Sequence, residues 1–147
     1  MILIFIQLYF NLALMNNLIL ILIFTVRKTG NINLVKKIGQ FYFFLAIPAA
    51  HLLIASIKQN ISYQYTVFLS IFLAYLLLEF IYDYVLKIDF RKSRKLLMPY
   101  LTLYYAMSYG FLVMVWKNSF ENMLIIFILT ILQLAANFWS HKPVSKI

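Results

Sequence analysis

Cysteine is missing from this chain, glycine and proline occur three times each, and only four acids accompany 13 Lys and Arg residues. The first absence excludes disulfides, thiolate metal sites and thiol catalysis, while leaving the redox compartment open. No P-loop, GxSxG, HExxH or paired-glycine phosphate loop is present. Nor does a run of acids adjoin the basic stretch Lys87–Lys95. ATPase, zinc-protease and CDP-alcohol transferase chemistry are therefore unsupported. Charged residues are also scarce, 12% of the chain against about 25% in soluble domains. The longest polar gap is about a dozen residues, too short for a second domain by the usual size of such units.

What remains is apolar. Hydrophobic residues make up 65% of 147, and a soluble chain of that length has too little interior to hide them. Five stretches, at about 2–26, 38–57, 65–86, 96–116 and 123–140, approach or exceed the roughly 20 residues a membrane span requires. The expected fold is an all-α integral membrane protein, a bundle of five transmembrane helices forming one polytopic domain over residues 1–147. The first stretch lacks a basic n-region and a small-x-small cleavage site, so it reads as a helix and not as a cleaved leader.

The positive charges alternate between the connections. Arg27, Lys28, Lys36 and Lys37 follow the first stretch. Lys87, Arg91, Lys92, Arg94 and Lys95 follow the third, and Lys142 and Lys146 follow the fifth. The intervening connections hold only Lys58 and Lys117. Basic loops stay cytoplasmic, which predicts an outside N-terminus and a cytoplasmic C-terminus. The net charge of +9 is thereby a topology signal with affinity for anionic lipid headgroups, and nucleic acid is not an expected partner. The abundance of Ile, Leu, Phe, Tyr, Asn and Lys suggests an AT-rich prokaryotic genome and a prokaryotic cell membrane.

Polar residues inside spans are costly and normally face the bundle interior. In the third span Tyr75, Glu79, Tyr82 and Asp83 fall within about 100° of helical arc. In the fifth, Asn122, Thr130, Gln133, Asn137 and Ser140 fall within about 80°. Gln7 and Asn11 lie one turn apart in the first. His51 and Gln40 share a face of the second, where Pro48 predicts a kink. Gln7, Asn11, Gln133 and Asn137 are expected to bond between helices. Asn16 and Asn17 are expected to bond laterally, with a helix break as the alternative. Tyr42, Trp116 and Trp139 read as interfacial belt residues. In the fourth span Tyr100 and Tyr104 oppose Tyr105 and Tyr109, an aromatic packing surface or an aromatic-lined pocket, and Ala106 with Gly110 marks one close helix contact. Ser119 or Asn118 is suited to cap the fifth, and Pro99 is expected in the first turn of the fourth.

Three of the four acids fall between residues 79 and 89, which makes this the candidate intramembrane site: Glu79 and Asp83, with Tyr75 and Tyr82 as a shell and His51 as a second proton group. Glu79 is expected to be protonated or paired, with basic residues of the inner loops within reach. Asp83 is expected to pair with Lys87 four residues on, and Asp89 with nearby bases. The estimated depths of His51 and Glu79 differ by about 10 Å, which disfavours contact between them. No metal site and no cofactor is expected.

These features name no reaction. The leading expectation is a non-catalytic subunit or accessory scaffold protein, partnered by the bilayer and by a second copy or another membrane protein. The alternative is a membrane-embedded carrier, or an enzyme modifying a lipid or small molecule, that uses Glu79.

Overall fold

The computed structural model describes residues 2–141, the side chain of His141 excepted, so Lys142 and Lys146 lie outside the described residues. The described chain is helical throughout apart from its connections. Six helices form: α1 (Ile2–Thr29), α2 (Ile32–Phe43), α3 (Ala46–Lys58), α4 (Tyr63–Phe80), α5 (Arg94–Trp116) and α6 (Phe120–His141). A π-helical turn, Ile81–Val85, continues α4, and a 3₁₀ turn spans Phe90–Lys92. Taken as continuous rods these make five segments long and apolar enough to cross a membrane: Ile2–Thr29, Ile32–Lys58, Tyr63–Val85, Arg94–Trp116 and Phe120–Ser140. The protein is thus an all-helical membrane protein.

Several helix ends run past the hydropathy boundaries, and charge is the reason. Arg27 and Lys28 close α1, Lys36 and Lys37 lie within α2, and Arg94 and Lys95 open α5. Lys and Arg are good helix formers, so the helices outlast their apolar stretches. The first basic loop shrinks to a turn at Gly30, whose φ of +79° suits glycine. Asn31 then caps α2 by accepting from the Leu34 amide at 3.1 Å.

Pro48 breaks the second span one turn upstream of itself. Its ring lacks the N–H that would bond the Phe44 carbonyl. The Ile47 amide takes that carbonyl instead, at 3.1 Å, and the Phe44 and Leu45 amides bond three residues back. Pro99 sits in the second turn of α5, not the first, because the helix starts at Arg94. Ser119 caps α6 through the Asn122 amide. Asn118 instead bonds the Tyr65 hydroxyl and the Met114 carbonyl.

Helix α1 occupies the middle of the assembly. It packs most extensively along α6 and also touches α2, α3 and α5, while α4 lies between α3 and α5. Spans one and five run the same way, so α1 and α6 are parallel. Asn16 and Asn17 do not interrupt α1. Asn16 accepts from the Tyr42 hydroxyl at 2.5 Å, and Asn17 donates back to the Ala13 carbonyl at 3.1 Å. Tyr42, 1% exposed, is consequently a core residue and not an interfacial one. Gly110 supplies the expected close contact: a Cβ there would strike the Phe68 ring. Around the perimeter Phe44, Ile47, Leu77 and Ile128 are each more than half exposed, as a surface solvated by lipid requires.

Candidate functional site

The charged end of the bundle holds a cavity of about 770 Å³ whose lining includes Glu79, Asp83, Arg27, Lys36, Lys87 and Arg91. Five elements converge on it. Arg27 comes from the last turn of α1 and Lys36 from α2. Glu79 lies in the last turn of α4, Asp83 follows on the π turn, and Arg91 comes from the 3₁₀ turn.

Local sequence explains each placement. Beyond Glu79 the backbone changes from α to π pairing, with the Leu86 amide bonded to the Ile81 carbonyl at 2.8 Å. The wider turn rotates Asp83 and the chain after it away from the α-helical register. Lys87 then takes a left-handed conformation, φ +51°. For these reasons Asp83 and Lys87 do not form the expected i, i+4 pair. Asp89 is paired with Lys92, at 3.4 Å.

Phe90 anchors the connection. It is fully buried, its ring 4.8 Å from that of Tyr82 and 4.7 Å from that of Tyr100. Arg91 rests over the Phe90 ring at 4.5 Å, so the buried wedge holds a guanidinium at the cavity. Tyr82 donates to the Leu96 carbonyl at 3.1 Å and thereby secures the start of α5. On the other wall Arg27 lies over Phe24. Tyr84 donates to the Lys36 carbonyl at 3.3 Å, straddling Gly39, where a Cβ would meet its hydroxyl at 3.4 Å.

Glu79 is 9% exposed, and its Oε2 atom has no hydrogen-bond partner. The Tyr75 hydroxyl, one turn back on the same helix, bonds the Tyr100 hydroxyl at 3.0 Å. Arg91 and Arg27 are the cations nearest in electrostatic effect to both Glu79 and Asp83. Neither carboxylate has a Lys or Arg nitrogen within 4 Å. Charges of both signs therefore line the cavity, with Glu79 and Asp83 in no ion pair.

Of the candidate residues, the fold brings Glu79 and Asp83 into one cavity, with Tyr75 and Tyr82 packed behind them. His51 stands apart. It is exposed, on a separate groove of about 410 Å³ with Asn11, Pro48 and Met15. Gln7 and Asn11 do not bond between helices. They bond each other at 3.2 Å on the exposed face of α1, where Asn11 borders the groove beside α3 without bonding across it. Gln133 does bridge helices, donating to the Tyr104 hydroxyl at 2.6 Å. Asn137 is half-buried, and no side-chain bond joins it to another helix. Tyr100 and Tyr104 pack into the core while Tyr105 and Tyr109 face outward. Among the described residues no cluster of three His, Cys, Asp or Glu suits a metal ion.

Arg27, Arg91, Lys36 and Phe90 did not stand out in the sequence as site residues. The basic ones read there as topology signals, and Phe90 is one apolar residue in a charged loop. No family model matches the chain, and no curated protein or solved structure shows significant similarity to it.

Proposed function

We propose that this protein is a membrane-embedded binding protein, a carrier or ligand-holding subunit, whose site is the Glu79 cavity at the cytoplasmic end of the bundle. In this reading the N-terminus is outside, the C-terminus is cytoplasmic, and the membrane is that of a prokaryotic cell. The observation that supports it is the orphaned Oε2 of Glu79 beside a cavity of about 770 Å³. Buried polar atoms in folded proteins nearly always have partners, and a carboxyl oxygen accepts when ionised and can donate when protonated. A hydrogen-bonding ligand supplies what the chain does not. The volume falls within the roughly 300–1,000 Å³ typical of small-molecule sites. The reading assigns no bond-making step.

Ligand-dependent thermal stability of wild type and Glu79→Gln tests it, screened with lipids, amines and monovalent cations. A stabilising response present in wild type and absent in Glu79→Gln is expected. Identical responses in both proteins would return Glu79 to a packing role.

A different observation favours an accessory or scaffold subunit. Gln7, Asn11 and His51 present polar groups on an exposed surface of α1 and α3, where contact with lipid is unfavourable. A second copy or another membrane helix would cover them. Crosslinking from position 51 in native membranes checks this, and absence of any adduct would exclude it.

A further inference from the structure

We infer that the ligand of the Glu79 cavity is a zwitterion joining a primary ammonium to a phosphate, the chemistry of a phosphoethanolamine headgroup. The inference rests on the Glu79 cavity being a binding site, as proposed above. The cavity is lined by charges of both signs, contributed by different elements. Glu79 and Asp83 come from α4 and its π turn, whereas Arg27 and Arg91 come from α1 and the 3₁₀ turn, with Lys36 and Lys87 also lining the space. Glu79 and Asp83 are joined to none of these cations in an ion pair, since neither approaches a Lys or Arg nitrogen within 4 Å, whereas Asp89 at the rim is paired with Lys92. A purely anionic ligand would sit against two carboxylates, and a purely cationic one against two guanidiniums. A molecule carrying both charges satisfies both sets of side chains at once.

The orphaned Glu79 oxygen sharpens the cationic half. When ionised it takes a hydrogen-bond donor: a primary ammonium offers one with a positive charge, a glycerol hydroxyl one without charge, and a quaternary ammonium none. Guanidiniums suit the anionic half, because they grip phosphate through paired N–H groups. Depth agrees with a headgroup. Glu79 lies six residues before the end of its span at Val85, about 9 Å along the helix, and the cavity rises from there past Lys87 and Asp89. Ile23, Ile32 and Val35 add an apolar wall suited to the glycerol end of a lipid.

The test uses the full-length protein in detergent, with thermal stability read against four probes. These are dioleoyl phosphatidylethanolamine, the matching phosphatidylcholine, the matching phosphatidylglycerol, and soluble glycerophosphoethanolamine. The ethanolamine lipid is expected to bind wild type about tenfold more tightly than the choline or glycerol lipid, the worth of one charge-assisted hydrogen bond. Glu79→Gln should erase that preference, and Arg91→Gln should weaken binding of the ethanolamine lipid. Glycerophosphoethanolamine binding as tightly as the lipid would identify a soluble source of the same chemistry. Equal responses to ethanolamine and choline lipids in wild type overturn the inference even if no variant folds. A Glu79-dependent response that is equal for all three lipids overturns it while the binding site stands. No Glu79-dependent response to any probe removes both.

Discussion

The Gln133 amide nitrogen donates to the Tyr104 hydroxyl at 2.6 Å, while the amide oxygen of the same Gln133 has no partner. Both side chains are buried. The bond joins α6 to α5 at mid-span, where no water competes for it.

Removing one member of this pair should cost more than removing both. Tyr104→Phe strands the buried amide and is expected to destabilise by about 1–3 kcal/mol. The double variant Tyr104→Phe with Gln133→Leu leaves no orphan and should lie within about 1 kcal/mol of wild type. Thermal unfolding of the four proteins in one detergent measures the cycle. Additive losses would mean the two residues are not coupled.

Gly110 should tolerate no larger residue while Phe68 is present. A Cβ at 110 meets the ring and Cβ of Phe68, so Gly110→Ala should destabilise by about 1–3 kcal/mol through overpacking. Adding Phe68→Ala, which empties the colliding volume, should recover part of the loss. The midpoint of unfolding in the paired variants checks the compensation.

Lys87 occupies a left-handed backbone conformation, φ +51°, that disfavours a side chain. Lys87→Gly should leave stability unchanged or raise it by up to about 1 kcal/mol, whereas Lys87→Val should lower it by at least about 1 kcal/mol. The same midpoint measurement distinguishes them, and a stable valine variant would contradict the backbone geometry.

The absence of native cysteine makes labelling free of background. With the basic connections inside, Ser93→Cys should react with an impermeant maleimide only after the cells are opened. Ser119→Cys should react in intact cells. The reversed pattern would invert the proposed orientation. Moving the Lys87–Lys95 charges to the Lys58 turn should disturb the pattern.

Much of the fold was legible because the signals are local. A span declares itself by its own apolar length, and the prolines and caps act within one turn. Ser119 caps its helix as its sequence position suggests, and Pro48 perturbs a backbone carbonyl four residues away. The burial of Tyr100 and Tyr104 against the exposure of Tyr105 and Tyr109 follows from their opposed positions on one helix. Polar stripes were less informative, since helical phase gives a direction without naming the neighbour it meets. Gln7 and Asn11 share a face just as Glu79 and Asp83 do, yet one face points outward and the other into a cavity. Asp83 and Lys87 had suitable spacing for a pair, but the π turn between them changed the register.

The sequence by itself determined that this chain forms five apolar helices of membrane length, because an uncharged run of about 20 residues carries its own solvent preference. Tertiary packing decided which charges meet. Arg27, Glu79 and Arg91 are separated by 52 and 12 residues along the chain, and no periodicity links them. They share a cavity because α1 sits centrally, α4 ends in a π turn, and Phe90 pins the following loop between Tyr82 and Tyr100. Interactions between groups on different helices depend on helix order and rotation, which arise only when the faces are packed together.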